Sequence, residues 1–198
     1  MGEDALIQAA KQGDMEAFNS LVLSYQNLVY NQAYRLLGEP EAAEDATQDA
    51  FILAYKHLHS YRGGSFKAWV MRIVTNVCYD ELRRLKARRT MHLEPIDAND
   101  EEIESPSWLV DPGESPEAAL ERDELDRAIQ NYLNELPMDM RAIVSLVDIQ
   151  GFDYVEAADV LRIPLGTVKS RLARARLRLR EALQKSGDLL PASFLMTV

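Results

Sequence analysis

With 198 residues, 47% of them hydrophobic, and a formal charge of −10 at neutral pH, the chain has room for one domain or two small ones, and the charge opposes a polyanionic partner for the molecule as a whole. Its single cysteine, Cys78, excludes an intramolecular disulfide. With no signal peptide and no apolar run of membrane-spanning length, a soluble cytoplasmic protein without membrane insertion is expected.

Amphipathic helical patterns fill residues 4 to about 92. The stretch GEPEAAEDATQDAFILAYKHLHSY sets Glu39, Glu41, Glu44, Asp45 and Asp49 at the start of a helix whose apolar side is Ala50, Phe51, Leu53, Ala54 and Leu58. Acids in a first turn suit the helix dipole. The charge continues through Asp49, with Gln48 beside it, so a face toward a basic protein is the rival reading. His57 and His59 lack a partner at metal-ligand spacing and read as a surface helix end. No metal or cofactor is expected.

The next segment, SFKAWVMRIVTNVCYDELRRLKARR, offers an apolar face of Phe66, Trp69, Val70, Ile73, Val74 and Val77, with Cys78 as a small inert thiol in that stripe. Trp69 among aliphatics reads as core. A second line runs through Asn76, Asp80, Arg83 and Arg84 at steps of four, three and one, and Arg83, Arg84, Lys86, Arg88 and Arg89 make the helix end basic. An aromatic-rich loop, an Asn/Asp ridge and a cationic end are what a single-stranded nucleic-acid site needs: room for an unstacked base, groups for its edge, and phosphate neutralisation.

Between residues 93 and 115, Pro95, Pro106 and Pro112 alternate with acids, which reads as a flexible linker. From Glu94 to Asp126 thirteen acids face Arg122 alone, so the remainder of the chain is close to neutral. Such a tether is disordered and solubilising, or repels DNA, or lies in a basic channel of a partner. Trp108, Leu109 and Val110 are its one strong apolar cluster.

Helical patterns restart near Pro116 and reach about residue 185, ahead of a short apolar tail, 186–198. Gly151 closes one helix, and Asp153 with Glu156 gives a capping-box start to a short helix through Leu161. Arg162 to Leu165 is the turn, with Pro164 tolerated at a helix start. The second helix buries Val168, Leu172, Ala175, Leu179 and Leu183, while Lys169, Arg171, Arg174, Arg176, Arg178 and Arg180 surround that stripe. Six cations on one helix repel each other unless a polyanion lies beside them. Gly166, Thr167, Lys169, Ser170 and Arg171 occupy the first turns, where a recognition helix meets base edges. Strand-type alternation is absent, so the fold is expected to be all-α: two small helical domains joined by an acidic linker, the second carrying a helix-turn-helix.

In this order the segments LIQAAKQGDMEAFNSLVLSYQNLVYNQAYRLLG, EDATQDAFILAY, YRGGSFKAWVMRIVTNVCYDELRR, LNELPMDMRAIVSLVDIQGFDYVEAADVL and GTVKSRLARAR resemble a bacterial RNA polymerase sigma factor of the extracytoplasmic-function (ECF) type. The resemblance implies that residues 1–92 form sigma region 2, binding the clamp helices of the polymerase beta-prime subunit and taking the −10 element as unpaired strand. It implies that residues 116–185 form sigma region 4, reading the −35 element as duplex. Asp45, Gln48 and Asp49 match polymerase contacts, Asp49 standing where glutamate is common. Asn76, Asp80, Arg83, Arg84 and Arg88 match the ridge facing the −10 strand, with Tyr61 and Phe66 flanking a flipped base across a loop, Gly63 to Phe66, one residue shorter than in many relatives. The −35 contacts fall to Thr167, Lys169, Ser170, Arg171, Arg174 and Arg176. An anti-sigma factor is a further partner the resemblance allows. The residues themselves leave open a helix-turn-helix regulator or an adaptor that binds polymerase or an anti-sigma factor; no catalytic group supports an enzyme.

Overall fold

The computed structural model describes residues 2–91 and 116–186, and the regular elements among them are helical. The chain divides into two units at Leu109 and Val110. Four helices make the first: α1 (Glu3–Lys11), α2 (Met15–Leu37), α3 (Pro40–His57) and α4 (Phe66–Met91), with a 3-10 turn at Leu58–Ser60. Local chemistry sets their ends. Asp14 accepts hydrogen bonds from the Glu16 and Ala17 N–H groups at 2.9 and 3.1 Å, satisfying two orphan donors of α2. Gly38, with φ of 86°, closes α2, and Pro40 opens α3 with a ring preset for a first turn.

Against the other three helices α2 buries Leu21, Val29, Ala33 and Leu36. The buried stripe of α3 is largely alanine, Ala43, Ala46, Ala50 and Ala54, continued by Phe51 and by Leu58 just beyond it, while Leu53, expected on this side, is only half-buried. Methyl-sized residues let helix axes come close. In α4 the stripe is Phe66, Val70, Met71, Val74 and Cys78. This corrects the expected phase, since Trp69, Ile73 and Val77 are half-exposed at its margin. Apolar residues crowd so much of this helix that pattern alone cannot say which arc faces inward; packing against α2 and α3 decides. Burial pushes the Cys78 thiol up to about 12, so it stays protonated and unreactive.

The second unit holds α5 (Pro116–Asn134), α6 (Met138–Val144), a π-helical turn (Ser145–Ile149), α7 (Tyr154–Leu161) and α8 (Leu165–Ser186). Pro137 separates α5 from α6, and Arg141 Nη2 donates to the Asn134 carbonyl at 2.8 Å, setting a cation on the end of α5. Leu133, Ile143, Leu146, Phe152, Val160 and Leu172 fill the core. Two helical units, the second with a helix-turn-helix, are the architecture expected from the sequence. The linker 93–115, with Trp108, Leu109 and Val110, and the tail beyond residue 186 lie outside the described residues. No helix among the described residues is long and apolar enough to cross a membrane.

Candidate nucleic-acid interface

In α7 the capping box forms as the spacing predicts. The Asp153 carboxylate accepts from the Val155 and Glu156 N–H groups at 2.7 and 2.8 Å, and the Glu156 carboxylate accepts from the Asp153 N–H at 3.0 Å. At the other end Arg162 takes the left-handed region, φ 53° and ψ 45°, while the Ile163 N–H reaches back to the Ala158 carbonyl at 3.2 Å. Glycine usually holds such a site. The Pro164 carbonyl then accepts from the Thr167 and Val168 N–H groups at 2.8 and 3.1 Å, and α8 begins.

Val168, Leu172 and Ala175 seat α8 on its own unit, with Leu179 and Leu183 half-buried beyond them. This leaves Lys169, Ser170, Arg174, Arg178 and Arg180 exposed and Thr167 partly so. Arg174 Nε donates to the Ser170 carbonyl at 3.3 Å, which lays its guanidinium along the exposed face. Arg171 Nη1 sits 3.3 Å from Asp139 Oδ2 of α6, a partly exposed pair that solvent and salt weaken. Arg176 departs from its neighbours. It meets Asp148 at two points, 2.6 Å (Nη2 to Oδ1) and 3.2 Å (Nε to Oδ2), with the two side chains only 18% and 16% exposed. The Asp148 hydrogen bond raises its already high pKa further. Of the six residues expected at the −35 element, the structure thus turns Arg176 toward the protein. Asp148 lies 28 residues upstream, beyond the reach of any helical spacing rule.

Along α4, Asn76, Asp80, Arg83, Arg84 and Arg88 are all exposed. Arg83 pairs with Asp80 at 2.7 Å and Arg84 with Glu81 at 3.3 Å, surface pairs that a phosphate can replace at little cost. Tyr61 and Phe66, by contrast, are 6% and 2% exposed. They lie beneath the loop instead of flanking it. The Tyr61 hydroxyl donates to the Gly64 carbonyl at 2.6 Å, its ring meets Phe66 edge-on at 5.6 Å, and the Tyr61 carbonyl accepts from Lys11 Nζ at 2.5 Å. Gly63 and Gly64, both with φ above 90°, make the turn above. The half-exposed ring of this cluster is Trp69, 5.3 Å from Tyr61 and 5.4 Å from Phe66. Read as core from sequence, Trp69 carried an unused signal: from Asp80 the ridge steps back through Asn76 and Ile73 to Trp69 at four, three and four.

On α3, Asp45, Gln48 and Asp49 are exposed, and Ile52, one turn further on and 44% exposed, continues their face. An isoleucine in an apolar run reads as core; only its step of three from Asp49 pointed outward. Among the described residues no group of three or more His, Cys, Asp or Glu side chains is placed to hold a metal ion.

The profile of Sigma-70 region 2 matches residues 21–89 and that of Sigma-70 region 4 matches residues 126–179. The chain is 34% identical to the RNA polymerase sigma-H factor of Pseudomonas aeruginosa, covering 92% of this chain and 94% of that one. It is 36% identical to the ECF RNA polymerase sigma factor SigW of Bacillus subtilis, covering 90% and 95%. Among solved structures it is similar to the sigma factor RpoE of Bartonella quintana, determined in complex with the anti-sigma factor NepR, at 26% identity and a TM-score of 0.65 over 86% of this chain and 98% of that one. Relatives above 30% identity run through both units, and each unit matches its own profile in the same chain order: the chain belongs to the ECF group of the sigma-70 family of bacterial RNA polymerase sigma factors.

Proposed function

We propose that this chain performs the family's task, directing core RNA polymerase to promoters, through three separate surfaces, and does so in the cytoplasm without a covalent step of its own. Residues 1–92 serve as region 2. The face Asp45, Gln48, Asp49 and Ile52 docks on the beta-prime clamp helices, its acids meeting basic groups and its isoleucine supplying apolar area. The α4 ridge of Asn76, Asp80, Arg83, Arg84 and Arg88 takes the −10 element as single strand, with Trp69 as the stacking ring and Tyr61 and Phe66 holding the loop beside it. Binding to the melted strand offsets the unpairing cost, a few kcal/mol for each extruded base.

Residues 116–185 serve as region 4. Thr167, Lys169, Ser170, Arg171 and Arg174 enter the major groove at −35, and Arg178 and Arg180 lie along the phosphates. The residues between the units, 93–115, act as the acidic tether, and an anti-sigma factor is a regulatory partner, a reading supported by the NepR complex of the Bartonella relative. One observation supports the DNA reading most: a capped helix-turn-helix whose second helix exposes Lys169, Arg174, Arg178 and Arg180 in a chain of net charge −10.

Transcription in vitro with core polymerase and a genomic promoter library, with start sites mapped, tests the proposal. Discrete starts preceded by paired −35 and −10 elements at a fixed spacing are expected. Starts scattered as with core alone would overturn it.

A further inference from the structure

Arg176 has the charge of its neighbours on α8 and the opposite orientation. Its two contacts with Asp148 join α8 to the π-helical turn that precedes the helix-turn-helix. One side chain therefore fastens two elements that lie 28 residues apart in the chain. The apolar contacts beneath α8 are non-directional, so they fix its distance from the core better than its rotation. A planar guanidinium forked on a carboxylate is directional and fixes both.

We infer that Asp148 and Arg176 are positioning residues for promoter reading: the pair sets the rotation at which α8 offers Lys169, Ser170 and Arg174 to the groove, and Arg176 is not itself a DNA contact. The inference rests on the reading of α8 as the −35 reader. The cations of α8 then divide by role, one clasping the protein while others face the DNA.

Holoenzymes carrying Asp148→Asn, Arg176→Lys or Arg176→Gln are to be compared with the parent and with Arg174→Ala. Three quantities are read: the ratio of initiation from a mapped promoter to that from the same promoter with its −35 bases scrambled, the salt slope of binding to the intact promoter, and the thermal unfolding of each free chain. Asp148→Asn should lower the ratio about tenfold, the size of one lost base-edge contact. Arg176→Lys keeps charge and most volume, and should lose as much as Arg176→Gln because the fork is gone. The double variant Asp148→Asn/Arg176→Gln should be no worse than either single one, with the salt slope at the parental value.

A parental ratio in Arg176→Lys, with the slope reduced by about one in Arg176→Gln, would make Arg176 a phosphate contact and overturn the inference. Lowered unfolding temperatures with an unchanged ratio in Asp148→Asn would also overturn it, leaving the pair as a stabilising contact alone. If scrambling the −35 bases has no effect even in the parent and in Arg174→Ala, the reading of α8 itself falls, a result distinguishable from both.

Discussion

Asp153 and Glu156 cap each other: each carboxylate accepts the other residue's backbone N–H, at 2.8 and 3.0 Å, and together they fix where the first helix of the helix-turn-helix begins. Asp153→Ala removes the acceptor for two N–H groups and is expected to cost the protein about 1 kcal/mol, read as a lower midpoint in chemical denaturation. Glu156→Gln keeps an acceptor at that position and should lose less. Equal stability of Asp153→Ala and the parent would show that water replaces the cap at no loss.

Reversing Asp45 and Asp49 to lysine sets like charges against the proposed basic clamp surface. Both side chains are exposed, so the double variant should keep its helical content by circular dichroism while its affinity for core polymerase falls, most steeply at low salt. Parental binding by the double variant would reduce this face to a solvated one. Ile52→Ala should weaken docking without changing the salt dependence, since it removes apolar area alone.

If α8 is the proposed −35 reader, base reading and phosphate clamping should separate along it. Arg171→Ala is expected to cost about 1 to 3 kcal/mol and to relax preference at a single −35 position, if the guanidinium leaves Asp139 for a guanine. Arg178→Ala should weaken all promoters alike and reduce the salt slope by about one. Binding of holoenzyme to a set of single-base −35 variants at several salt concentrations distinguishes these patterns. A uniform loss in both mutants would move specificity to Thr167, Lys169 and Ser170.

Cys78 gives the first unit a built-in alkaline limit. Its folded pKa of about 12 stands above the ordinary value near 9, so the unfolded chain releases this proton first as pH rises. Linkage then makes stability level below pH 9 and lets it fall between pH 9 and 12, with a slope of at most one proton from this group. Burial shifts Tyr25 and Tyr30 in the same direction. Cys78→Ala should flatten part of the decline in denaturation midpoints measured across that range. The thiol should react with a disulfide reagent at pH 8 only as fast as the unit opens.

What the sequence disclosed was local. A capping box is written in two residues three apart, and the inner stripe of α8 in steps of four and three, Val168, Leu172 and Ala175; both formed where expected. What it concealed depended on distant partners. Asp148 and Arg176 share no periodic relation, so the arginine looked like one more cation. The phase of α4 was ambiguous because apolar residues cover more than one face, and the same ambiguity hid the exposure of Trp69. Tyr61 and Phe66 looked like loop aromatics free to meet a base, until the fold brought Tyr25 and Trp69 around them.

The alanine seam of α3 bears on how tightly the proposed docking face opposite it would bind. Ala43, Ala46, Ala50 and Ala54 have no rotamers to freeze, so the seam holds almost no side-chain entropy that docking could consume. Contact energy gathered at Asp45, Gln48, Asp49 and Ile52 is then not spent on ordering what lies beneath, which is the advantage of a preorganised surface. The same economy makes the seam brittle: an added methylene at any of these four positions must displace the backbone, carrying the whole docking face with it.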